Sequence, residues 1–240
     1  MESRVSQPAI NRLGVLLRGD PDFLRAWTEC WDWGRFLLCS VIIITGAGAY
    51  GATMGYWRAP LQGLYVALKF PLIILLTTVG NALLNAMLAP LLGLNIRFRQ
   101  TLLAILMSFT IASMILASFS PLVAFMVWNA PTMVSDFQIS GGTYNFIKLT
   151  HVASIAFAGL VANLRLVQLL QELSGNRTIA WRVLLGWLAG NLFLGSQLCW
   201  ILRPFIGLPN LPVEFLRASA LQGNFYENVF QTILRLLGMQ

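Results

Sequence analysis

Phe36 to Tyr56 reads FLLCSVIIITGAGAYGATMGY, an apolar run set between Arg35 and Arg58. Two folds compete for it. VIIIT followed by Gly46-Ala47-Gly48-Ala49-Tyr50-Gly51 matches a strand that opens into the GxGxxG turn of a dinucleotide-binding unit. That unit needs an acidic residue about 20 positions further on to hold the ribose hydroxyl. No Asp or Glu occurs between Asp32 and Asp136. The competing reading is a helix of about 20 apolar residues, long enough to cross hydrocarbon. In it Ala47, Gly51 and Gly55 recur every four residues, the small-xxx-small pattern that lets helix backbones approach closely. The missing acid decides for the membrane helix.

The rest of the chain agrees. Its 240 residues are 57% apolar and 10% charged, against about 45–50% apolar with Gly included and about 25% charged in soluble domains. So little charge does not cover a soluble surface, and a disordered chain would be polar and charged. Four more runs follow, near 70–92 after Lys69, 101–128 with Pro121 inside, 146–170, and 183–206 closing on Leu202-Arg203-Pro204. The expected fold is all-α: a polytopic transmembrane helix bundle of five spans over residues 36–206. The first run starts too late for a signal peptide and reads as an uncleaved span.

Both ends read as interfacial. Residues 1–35 form an amphipathic arm, in which Asp20-Pro21 is a helix start and Phe23, Leu24, Trp27 and Trp31 follow at helical spacing. Within 207–240, Tyr226, Val229, Phe230, Ile233, Leu234 and Leu237 make a second stripe. Trp57, Trp128, Trp181 and Trp200 fall at span ends, where an aromatic belt belongs.

Of the 16 Lys and Arg, ten lie in the N-terminal arm and the loops on its side of the membrane; six (Arg58, Lys69, Lys148, Arg203, Arg217, Arg235) lie on the other. Lys/Arg excess marks the cytoplasmic side, so the N-terminus is expected in the cytoplasm and the C-terminus outside. The basic residues are scattered singly and offer no phosphate track for nucleic acid. Cys30, Cys39 and Cys199 are odd in number and contain no CxxC, so neither a disulfide framework nor a metal site is expected, and no cofactor is predicted.

The polar groups inside or beside the spans are the candidate chemistry. Lys69, Asn81, Asn85, Lys148, His151, Arg165, Gln197 and Arg203 are the candidate polar-cleft or lipid-headgroup residues. Asn81 and Asn85 share a helix face, as do Lys148 and His151. Hydrogen bonds among amides fix helix register; the functional alternative is one polar cleft among the second, fourth and fifth spans. Ala47, Gly51 and Gly55, with Gly186 and Gly190 of a second GxxxG, are the candidate helix-packing faces. As the one histidine, His151 is a candidate proton relay, but the spans hold no carboxylate to relay with. Gly195-Ser196 resembles the serine context of some intramembrane proteases, although their order is serine before histidine. The Asn176-Arg177-Thr178 sequon falls on the expected cytoplasmic side.

Three stretches carry a resemblance: Leu64-Tyr65-Val66-Ala67-Leu68-Lys69-Phe70-Pro71, Gln197-Leu198-Cys199-Trp200-Ile201-Leu202-Arg203-Pro204-Phe205 and Gly223-Asn224-Phe225-Tyr226. From about residue 35 onward the chain resembles bacterial five-span membrane proteins of Yip1-like layout. The resemblance implies the span count and a cytoplasmic N-terminus. The DLYGP-type motif of the eukaryotic relatives, which are linked to trafficking and small GTPases, is absent, so GTPase binding is not implied. The expected role is non-enzymatic: an anchor, scaffold or accessory subunit of a bacterial membrane assembly, with membrane lipids and proteins docked on its helix faces as partners. The alternative is a carrier or a lipid- or small-ligand-binding protein using the polar cleft. An intramembrane hydrolase would require Ser196 and His151 to meet.

Overall fold

The computed structural model describes residues 32–131, 137–207 and 212–236. All regular structure among them is helical: α1 (Trp33–Tyr56), α2 (Pro60–Leu91), α3 (Phe98–Asn129), α4 (Phe137–Ser174), α5 (Arg177–Leu202) and α6 (Phe225–Leu236). The first five are long and apolar enough to cross a membrane. The amphipathic helix expected from Asp20-Pro21 lies outside the described residues.

Local chemistry sets the helix ends. Asp32 caps α1, accepting from the Gly34 N–H at 2.9 Å. Pro60 opens α2 after an extended Ala59; proline suits this position because its N–H would have no helical partner. The second span therefore begins at Pro60, ten residues before the apolar run implied. Gln62 and Lys69 precede that run in sequence, yet both side chains are buried and bonded to the segment after α5. The fourth helix also exceeds its apolar run and takes in Glu172 near its end. Gly175, at φ +62°, turns the chain into Asn176, whose side chain accepts from the Thr178 N–H at 2.8 Å to cap α5. The sequon is thus a helix cap. At the other end α5 stops at Leu202, because Arg203 is extended (φ −60°, ψ 156°) as a residue before proline prefers. α3 runs on through Pro121, and the neighbouring Ser120 hydroxyl donates to the Leu116 carbonyl at 3.1 Å.

α1 packs on α2 and α3, α3 packs in addition on α2 and α4, and α5 lies against α2 and α4. The centre holds Ile43 and Ala47 of α1, Leu106 and Ile111 of α3, Leu170 of α4 and Trp187 of α5. Leu37, Val41, Leu122, Phe125, Leu185 and Leu192 face outward. So apolar a surface is excluded from water and fits lipid.

The small residues of α1 are used within the chain. A Cβ at Gly51 would lie 2.6 Å from the Val66 carbonyl oxygen, and one at Gly55 would lie 2.6 Å from that of Gln62. Ala47 is fully buried. On α5, a Cβ at Gly186 would lie 3.2 Å from the Leu92 side chain, and one at Gly190 would run into the Asn81 amide oxygen. Gly51 and Gly55 are therefore closed off by α2, while Gly186 and Gly190, half-buried, face α2 and the residue that follows it.

Gly55→Ala is expected to destabilise the fold by about 1–3 kcal/mol, as overpacking does. Gly159→Ala, where a new Cβ meets nothing within 4 Å, should be neutral or gain up to about 1 kcal/mol from helix propensity. Thermal unfolding of both variants in one detergent checks this; equal melting temperatures would refute the close approach of α1 and α2.

Candidate functional site

Three groups of buried polar side chains among the described residues tie separate segments together. The first is an amide ladder between α2 and α5. Asn85 donates to the Asn81 side-chain oxygen at 2.7 Å. Asn81 donates in turn to the Asn191 side chain at 2.6 Å and to the Trp187 carbonyl at 3.3 Å. Gly190 leaves the space in which Asn81 sits.

The second place ties α1 to α4. The Tyr50 hydroxyl and His151 Nδ1 lie 3.0 Å apart, with the rings edge to face at 5.5 Å. His151 Nε2 is buried without a hydrogen-bond partner. Lys148, one helical turn before it, is exposed and sits 5.7 Å from the Tyr144 ring.

The third place is the mouth of α2, where the segment after α5 folds back. Gln62 donates to the Pro204 and Phe205 carbonyls, both at 2.9 Å. Lys69, fully buried, donates to the Pro204 carbonyl at 3.3 Å and the Glu214 carbonyl at 3.4 Å. Its Nζ also stands 5.3 Å from the Phe215 ring centroid. Beside these bonds is a pocket of about 360 Å³ lined by Tyr144, Arg203, Pro204, Phe205, Ile206, Gly207 and Arg217. The guanidinium of Arg203 lies over the Trp200 ring, 3.0 Å from its centroid. Burial, and then the neighbouring Arg217 charge, hold the Arg203 pKa below its ordinary value.

These positions do not make the single polar cleft of the functional alternative. Asn81 is twelve residues beyond Lys69 on α2, about 18 Å along the axis at about 1.5 Å per residue. Lys69 and the Arg203 segment do meet, through the Pro204 carbonyl. Asn81 and Asn85 belong to the ladder, and His151 faces Tyr50. Arg165 donates to Gln168 of its own helix at 3.0 Å. Gln197 accepts from the Phe225 N–H at 3.1 Å and so holds the start of α6. Ser196 is paired with the Leu192 carbonyl and the Tyr226 hydroxyl, so the serine and histidine of a hydrolase do not hydrogen bond here. Cys39 and Cys199 are free thiols, the first buried and the second exposed. No group of three or more potential metal ligands occurs among the described residues.

Sequence reasoning missed Tyr50, Gln62, Tyr144 and Arg217. Gln62 was within reach, since its spacing of seven from Lys69 puts both on one helix face. Arg217 sits on irregular backbone, where periodicity carries no signal. No protein-family model, no curated protein and no solved structure matches this chain.

The ladder has a measurable coupling. In a double-mutant cycle, Asn81→Ala and Asn191→Ala should show about 0.6–2 kcal/mol of interaction, the range of interhelical hydrogen bonds in membranes. Additive losses would mean that the two amides act independently.

Proposed function

We propose that this chain is a non-catalytic integral membrane protein, serving as an anchor, scaffold or accessory subunit of a larger assembly in a bacterial plasma or internal membrane. The observation that carries the reading is where the polar groups of the bundle go. The Asn81 ladder, the Tyr50–His151 pair and the bonds from Gln62 and Lys69 each join separate segments of the chain. Groups placed this way fix helix positions. Catalysis needs a nucleophile or acid–base group poised at a shared reacting centre, and Ser196 and His151 are each paired elsewhere. The Yip1-like resemblance belongs to the same proposal, as a likeness of layout.

Partner proteins in this reading dock on the outward helix faces, because the Gly51/Gly55 face is buried against α2 and the half-buried Gly186/Gly190 face is turned toward it. The Lys/Arg distribution favours a cytoplasmic N-terminus and an external C-terminus. In that orientation the mouth of α2 opens on the external side.

Isolation from native membranes in a mild detergent should yield the chain with a stoichiometric partner, seen as a shared band on native gels and by mass spectrometry. Recovery of monomers alone would overturn the scaffold reading. A C-terminal alkaline phosphatase fusion should be active and a C-terminal fluorescent-protein fusion dark; the reverse pattern would invert the orientation.

A further inference from the structure

Gln62 and Lys69 at the mouth of α2 are bonded within the chain, but the arginines beside them are not. Nε of Arg203, and Nε and Nη2 of Arg217, are buried and have no hydrogen-bond partner. The buried indole N–H of Trp200, whose ring carries the Arg203 guanidinium, is open as well. Neither guanidinium has an ion-pair partner among the described residues, and the Glu214 carboxylate, close in sequence, pairs with neither. Both arginines line the same pocket of about 360 Å³, a volume inside the range of about 300–1,000 Å³ typical of small-ligand sites.

Two further basic side chains come close. The stem of Arg58 lies against Gly207, 3.3 Å from where a Cβ would stand there, and Lys69 is bonded to the Pro204 carbonyl. Two like charges sharing a pocket, with buried donors left open, are unfavourable until an anion completes them. A guanidinium presents its donors as a planar fork that matches phosphate oxygens. Trp200 covers one face of the Arg203 fork, which restricts its plane. The rest of the wall, Pro204, Phe205 and Ile206, is apolar.

We propose that Arg203 and Arg217 form a binding site for an anionic phosphate ester at the membrane surface beside the mouth of α2. The phosphate sits between the two forks, and its organic substituent lies along the apolar wall. This site goes beyond the scaffold reading and does not depend on it. A phospholipid headgroup and a soluble phosphate ester present the same chemistry, and the test separates them.

The full-length protein, purified in a neutral detergent, is titrated with short-chain phosphatidylglycerol, with glycerol phosphate and with acetate, and binding is read as a saturable shift in thermophoresis. Saturable binding of a phosphate ester is expected, weakened about tenfold or more by Arg203→Gln or Arg217→Gln, the loss of one charge-assisted contact. Arg177→Gln, on the exposed opposite end of α5, should keep wild-type affinity. Binding of phosphatidylglycerol alone assigns the site to lipid; equal or tighter binding of glycerol phosphate assigns it to a soluble ester. No saturable binding of either ester, acetate binding as tightly, or the same loss in Arg177→Gln would overturn the proposal. The Arg217 side chain bonds to no other described group, so Arg217→Gln keeps the test decisive even where Arg203→Gln fails to fold.

Discussion

Hydrocarbon offers no hydrogen bonds, so a donor or acceptor placed in it is costly unless the protein supplies a counterpart. Much of the architecture follows from that constraint. It makes every span helical, because a helix satisfies its own backbone. It also explains why Asn81, His151 and Lys69 are each held by a partner on another segment. In hydrocarbon such a bond is a positioning device, since a helix rotated out of register would strand a polar group in lipid.

α2 is where these devices converge. Its N-terminal turns present the Gln62 and Val66 carbonyls to Gly55 and Gly51 of α1. Pro71 removes the helical donor of the Ala67 carbonyl, and Gly48 of α1 lies against that same oxygen. Further along, Asn81 fits the gap at Gly190 and bonds to Asn191. Small residues and polar residues thus work as complements. Glycine permits backbone contact on α1 and makes room for an amide on α5, and a larger side chain in either place would push a neighbouring helix away.

The sequence showed this unevenly. Five spans were legible because a run of about 20 apolar residues matches the thickness of hydrocarbon and exceeds what a buried strand or core helix uses. The small-residue spacing was legible because a four-residue period puts Ala47, Gly51 and Gly55 on one face. Where α2 begins was not, since Gln62 and Lys69 look like loop residues until their partners on the segment after α5 are known. The pairing of Asn81 with Asn85 could be read from spacing within one helix, whereas Tyr50 and His151 are 101 residues apart and nothing local joins them. Arg203 was visible as a cation at a span end. Its neighbour Arg217 was not, because the two are brought together by a segment without periodicity.

The contrast between Lys69 and the two arginines bears on what that segment is for. Lys69 is wholly buried, and its bonds go to the carbonyls of Pro204 and Glu214. Pro204 directly follows Arg203, and Glu214 comes three residues before Arg217, so one amino group pins both stretches of backbone that carry the guanidiniums. Gln62 adds two more bonds to the first of them. A lysine suits this task, since its compact head donates in several directions to backbone oxygens, while the planar arginine fork suits a planar or tetrahedral oxyanion. The division of labour is therefore physical: the buried cation holds the backbone, and the half-buried cations line the pocket with donors that the chain leaves unpartnered.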